Sequence, residues 1–204
     1  MRNLVAALVL LGVGVSAAQP VISAAQGSPD QLDAAVLFIA QDMYREEVLE
    51  YVRARLIRSG HQVLVAAPDS TVAVGMDNTV IRPDIRLVDI DPGLASTLVL
   101  VGGSGAVLHW NDSTLHAACR GFAELDKPVA AIGLANISLA RAGLLEGRRA
   151  TVFPHRGAID HLREGGARYV PNRVVTDFPV ITAYDSRSYR PFAAALLRAL
   201  ERTE

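Results

Sequence analysis

Residues 126–151, DKPVAAIGLANISLARAGLLEGRRAT, decide how the rest of the chain is read. Four apolar residues, Val129 to Ile132, stop at Gly133, and Leu134, Ile137, Leu139, Ala140 and Leu144 then recur at helical spacing. A short buried strand, a one-residue corner and a helix make a nucleophile elbow, which lifts one side chain above the edge of a sheet. Where a Cys or Ser would act, this chain has glycine.

On either side, apolar runs of strand length alternate with amphipathic segments. Ala34 to Ala40 (AAVLFIA) predicts a buried strand, and Val48, Leu49, Val52, Leu56 and Ile57 predict one face of a helix that stops at Ser59-Gly60. His61 to Ala67 (HQVLVAA) completes a β-α-β opening, hence a parallel sheet with a right-handed crossover. Thr71 to Val88 alternates loosely around Gly75 and Asp77-Asn78 and predicts a hairpin or excursion at a sheet edge. Thr97 to Val101 is a further strand, stopped by Gly102-Gly103-Ser104-Gly105. Asn111, Asp112 or Ser113 then caps a helix with Leu115, Ala118, Cys119, Phe122 and Leu125 on one face. Past the elbow, the pattern predicts a strand over Ala150–Phe153 and a short helix over His155–Arg163. Two paired strands follow around Asp177-Phe178-Pro179, then a closing helix carrying Tyr189, Phe192, Leu196, Leu197 and Leu200. The sum is an α/β fold, a doubly wound and mostly parallel sheet sandwiched by helices, with sites at the carboxyl ends of the strands.

Composition bounds the function. The chain has 204 residues, half of them apolar, enough for one good core. A formal net charge of −1 and 5% aromatic residues argue against nucleic acid as a partner. Arg2, the apolar run Leu4 to Val15 and the small residues Ser16-Ala17-Ala18 form a signal-peptide layout, too short for the roughly 20 residues of a spanning helix. The expected organisation is therefore a signal peptide over residues 1–18 (cleavage after 25 is a second option), a leader over 19–33 and one domain over 34–204. It implies export to the periplasm or beyond, with no stable membrane insertion after cleavage. The single cysteine, Cys119, excludes an internal disulfide, and its place on an apolar helix face makes it a core residue.

In this order the segments resemble the ThiJ/PfpI family of the class I glutamine-amidotransferase-like superfamily, which includes the parkinsonism-associated protein deglycase. VLFIA followed by YREEVL resembles that family's first strand and acidic turn, and TLVLVGGSG its glycine-rich strand end. VAAIGLANISLARAGLLEGRRAT resembles the elbow and its distinctive continuation, and VVTDFPVITA with the final helix resembles the C-terminal hairpin and helix. The resemblance implies a flavodoxin-like sheet and a homodimer. It also marks departures. The family's elbow reads Ala-Ile-Cys-His-Gly, whereas this chain reads Ala131-Ile132-Gly133-Leu134-Ala135. The family's acidic partner of the cysteine aligns with Val48, and Glu47 fills that place only if the register slips by one.

A cysteine at such a corner works because its lowered pKa makes the thiolate; Gly133 has no side chain. Glycine also relieves the backbone strain a nucleophile suffers there. The low-ranking substitutes are Ser138 on the elbow helix, Ser104 in the glycine loop and Glu47. What survives without a side chain is a pair of backbone donors: the resemblance places Gly103 N–H in an oxyanion hole, with Leu134 N–H as the second. Gly103, Ser104, Gly133, Leu134 and Asn136 are therefore the expected ligand-binding residues for a small polar or anionic ligand, with Arg187 at the rim, His109 near the mouth, and Asp185 expected first as a helix cap and second as a rim residue. His61, His109, His116, His155 and His161 form no metal-ligand motif, and the GGSG loop lacks a P-loop lysine, so neither metal nor cofactor is implied. The first reading is an exported, non-catalytic relative. The alternative is a hydrolase-like, amidase-like or glyoxalase-like enzyme with a displaced active site.

Overall fold

The computed structural model describes residues 34–203, so the expected signal peptide and leader lie outside the described residues. The chain opens with β1 (Ala34–Phe38), β2 (Asp42–Tyr44), α1 (Glu46–Arg58) and β3 (Gln62–Ala67). The short strands β4 (Ala73–Gly75), β5 (Val80–Ile81) and β6 (Ile85–Arg86) lead to β7 (Ala95–Leu100) and α2 (Ser113–Glu124). Then come β8 (Val129–Ile132), α3 (Asn136–Arg141), β9 (Arg149–Ala150), α4 (Arg156–Glu164) and β10 (Arg168–Tyr169). The hairpin β11 (Val174–Asp177) and β12 (Val180–Ala183) precedes α5 (Tyr189–Leu200).

Seven strands form the main sheet in the order β11-β12-β8-β7-β1-β3-β6. Every pairing is parallel except β11 with β12 at one edge. Alternation along each strand sends its side chains to two faces. Val36, Phe38, Leu98, Leu100, Val129 and Ala131 face α2, α3 and α4, while Leu37, Val99, Val101, Ala130 and Ile132 face α1 and α5. Both faces of the central strands are covered, which is why they read as unbroken apolar runs.

The loosely alternating stretch divides in two. β4 and β5 pair as a hairpin that joins β2 in a separate three-stranded sheet, and β6 returns to the main sheet beside β3. Four details of the sequence pattern shift. Ile57 is 53% exposed, because it sits about 100° around the helix from Leu56. Leu125 is 52% exposed, since α2 ends at Glu124. The elbow helix stops at Arg141, and Gly143, at φ +82°, turns Leu144 out of it. Of the strand expected over Ala150–Phe153 only Ala150 is kept, together with Arg149 in the two-residue β9, because Thr151 N–H bonds the Thr182 hydroxyl instead of a ladder carbonyl. Asp112 is the N-cap of α2, accepting from Thr114 N and Leu115 N. Cys119 is fully buried, and burial pushes its thiol pKa up to about 12.

Candidate functional site

The carboxyl ends of β7, β8 and β12 open on one side of the sheet, where an open-sheet α/β fold forms its sites. Gly133 follows β8 directly and holds φ +68°, the left-handed region in which a side chain is strained. A Cβ built on it would meet no atom within 4 Å. The corner thus keeps both the backbone and the open space of a nucleophile elbow while carrying no side chain.

Three contacts from different elements hold the corner. Trp110 Nε1 donates to Leu134 O at 3.0 Å. Asn136 Nδ2 donates to Ala183 O at 2.7 Å, tying α3 to the end of β12. Ser138 Oγ donates to His109 O at 3.2 Å. On the other side of the corner, Gly103 adopts φ +134° with its α-carbon against the β2 backbone, where a Cβ would stand 2.3 Å from Met43 O. The glycine loop is therefore set by this close approach of two chain segments.

A cavity of about 360 Å³ lies over the corner. Gly103, Ser104, Gly133 and Leu134 all line it, together with Asp185 and Arg187 from the segment after β12. Neither Gly103 N–H nor Leu134 N–H has a backbone acceptor among the described residues. Asp185 is nearly buried; its carboxylate accepts from the Arg187 guanidinium at 2.9 Å and from the Ser188 hydroxyl at 3.2 Å. It makes no capping bond to a helix N–H.

The other sequence candidates fall elsewhere. Asn136 and Ser138 are buried beneath the corner and outside the cavity lining; the Asn136 amide nitrogen and the Ser138 hydroxyl serve the backbone contacts above, while Asn136 Oδ1 is buried without a hydrogen-bond partner among the described residues. Glu47 is exposed and also outside the lining. Its neighbour Glu46 is buried against the turn after β4, where Oε1 accepts from Asp77 N at 2.6 Å. The residue that reaches the cavity is Val48, as the ungapped register requires. His109 points away from the opening: its ring packs edge-on against Phe38, and Nδ1 pairs with Asp112 at 3.1 Å. Among the described residues no cluster of His, Cys, Asp or Glu could hold a metal ion.

Gly102 and Ile132 also line the cavity, and sequence reasoning missed Arg45, Met76, Phe153 and Ser186, which complete it. Arg45 was within reach, since it stands in the YREEVL turn just before a helix at a strand's carboxyl end. Met76 and Phe153 come from irregular segments and carry no periodic signal. Arg45 has no ion-pair partner among the described residues, whereas Arg187 is paired to Asp185. Two guanidiniums against one carboxylate leave the lining with one uncompensated positive charge.

Comparison with known proteins agrees with this architecture: residues 34–199 match the DJ-1/PfpI family. The chain belongs to the DJ-1/PfpI family. It is 34% identical over 168 residues to an uncharacterized protein of Methanocaldococcus jannaschii, covering 82% of each chain. It is also 33% identical over 143 residues to a protein of Pyrococcus abyssi named a deglycase, covering 70% of this chain and 84% of that one. Among solved structures, a ThiJ/PfpI domain protein from Brachyspira murdochii superposes with a TM-score of 0.80 at 22% identity, covering 84% of this chain and 98% of that one. DJ-1beta from Drosophila melanogaster gives a TM-score of 0.73 at 22% identity, over 83% and 94% of the two chains. At such identities these structures establish the fold, a mostly parallel DJ-1/PfpI sheet flanked by helices.

Proposed function

We propose that this DJ-1/PfpI protein is a non-catalytic member that binds a small polar or anionic molecule in the cavity over Gly133. The observation that carries this reading is the corner itself: left-handed backbone, open space and no side chain. Around it, Leu134 and Val48 replace the other two groups of the family's reactive trio, while the Gly103 and Leu134 N–H donors and Arg45 stay unengaged. Such a site can hold a negative charge or a carbonyl oxygen, but it has no thiolate to attack one. The deglycase name of the Pyrococcus relative therefore does not transfer to this chain.

The test is turnover. The purified protein, offered α-oxoaldehydes, glycated amines, amides and peptides, should consume none above the buffer rate, while anions should raise its melting temperature. A displaced active site is the second reading, and one observation favours it: Ser104 lines the cavity with an exposed hydroxyl. Turnover that vanished in Ser104→Ala would replace the first reading with this one. We also propose export through residues 1–18 and assembly as a homodimer. Mass spectrometry of the mature chain should find it beginning at Gln19 or Gln26, and sedimentation should give twice the monomer mass.

A further inference from the structure

We propose that the ligand class of this cavity is a small monocarboxylate with a short apolar tail. The inference rests on the binding reading above and narrows it by charge, shape and size.

Charge sets the head group. The lining holds one unpaired guanidinium, Arg45, and two unused backbone donors, Gly103 N–H and Leu134 N–H. Arg187 is committed to Asp185. One free cation matches one negative charge; a dianion such as hydrogen phosphate would bring its second charge towards the Asp185 carboxylate. A planar carboxylate has two oxygens, enough for a guanidinium and for backbone donors together. The empty volume beside the Gly133 α-carbon lets that head group approach the corner, where any residue with a Cβ would stand in the way.

The wall sets the tail. Val48, Met76, Ile132 and Phe153 line the cavity with apolar surface. Val48 decides the sign: it is fully buried at the place where the family's pattern has an acid, so no carboxylate opposes an anion there. The residue change that weakens the family's chemistry thereby favours a negative ligand with a hydrocarbon end. Size sets the length. At about 30 Å³ per water, the cavity of about 360 Å³ has room for roughly a dozen water volumes, hence for a ligand of roughly that many non-hydrogen atoms or fewer.

The experiment is a calorimetric titration of the full chain with acetate, butyrate and hexanoate, alongside butyramide, glycerol and inorganic phosphate. Kd should fall about fourfold per added methylene from acetate to butyrate, the value expected when each CH₂ leaves water. Butyramide should bind at least tenfold more weakly than butyrate. Arg45→Gln should weaken butyrate at least tenfold, and Val48→Glu should abolish its binding, each judged only in protein whose melting curve shows it folded. If a variant does not fold, the wild-type series decides alone. Phosphate binding as tightly as butyrate, or Kd values independent of tail length, would overturn the monocarboxylate assignment and leave the anion reading standing. Binding of glycerol or butyramide without any carboxylate would overturn it and leave a polar-ligand site. No heat with any of the six probes would remove both.

Discussion

At Gly133 the same backbone serves two incompatible ends. A corner at φ +68° presents whatever it carries to the open end of the sheet, and it strains any side chain by roughly 1–3 kcal/mol. A nucleophile gains enough chemistry to justify that strain; a binding site gains nothing from it, and glycine removes it. Gly133→Cys is therefore expected to fold, because no atom lies within 4 Å of the new Cβ, and to lose about 1–2 kcal/mol in urea unfolding. It should not gain turnover on α-oxoaldehydes, since Leu134 and Val48 supply neither a proton carrier nor a carboxylate. Cys119 is the internal control: buried, with a thiol pKa pushed up to about 12, it should resist iodoacetamide in native protein while the thiol of the variant is labelled. If neither thiol is labelled in native protein, the corner is closed to solvent.

At the scale of elements, helix ends were written in the sequence more clearly than helix faces. Ser59-Gly60 marks a true stop, with His61 N donating back to Leu56 O; Gly143 closes the elbow helix in the same way, Leu144 N to Leu139 O, although the apolar spacing carried that helix on to Leu144. α2 ends in the same way, with Lys127 N donating to Phe122 O, but the left-handed position is held by Asp126 at φ +55°. Asp126→Gly should raise stability by about 0.5–1 kcal/mol, measured as the shift in urea midpoint at unchanged slope. At the other end of α2, Asp112 titrates below the usual carboxylate range. Burial opposes its charge, and the His109 ring together with the Leu115 and Thr114 N–H groups outweighs that burial. A carboxyl depressed in the folded state stabilises above its unfolded pKa of about 3.9, and that stabilisation is lost as pH falls through the folded value. Asp112→Ala should then cost about 1 kcal/mol at pH 7 and progressively less below pH 4. A difference that stays constant down to pH 2 would assign the whole effect to uncharged contacts. The faces were less legible. Ile57 and Leu125 are apolar yet exposed, because a helix one turn longer or differently rotated would fit the same letters.

For the whole molecule, the parallel sheet was readable because each central strand is covered on both sides and so appears as an uninterrupted apolar run. The cavity was readable only where it is built from strand ends. Gly103, Ser104, Gly133 and Leu134 sit at the ends of β7 and β8, and Arg45 at the end of β2, but Met76 and Phe153 are brought there by connections whose path no local pattern encodes. The same sheet divides the interior into two packed faces. Phe122 on α2 and Phe192 on α5 are both fully buried, one in each. Truncating either to alanine should cost about 3–5 kcal/mol. With the sheet between them and no shared partners, the two losses should add to within about 0.5 kcal/mol in the double variant. Such additivity requires that the sheet not relay strain from one face to the other. The elbow offers a route for failure, because Ala131 packs on one face and Ile132 on the other immediately before Gly133. If the double variant falls short of the sum by about 1 kcal/mol or more, the two cores are coupled through the strands.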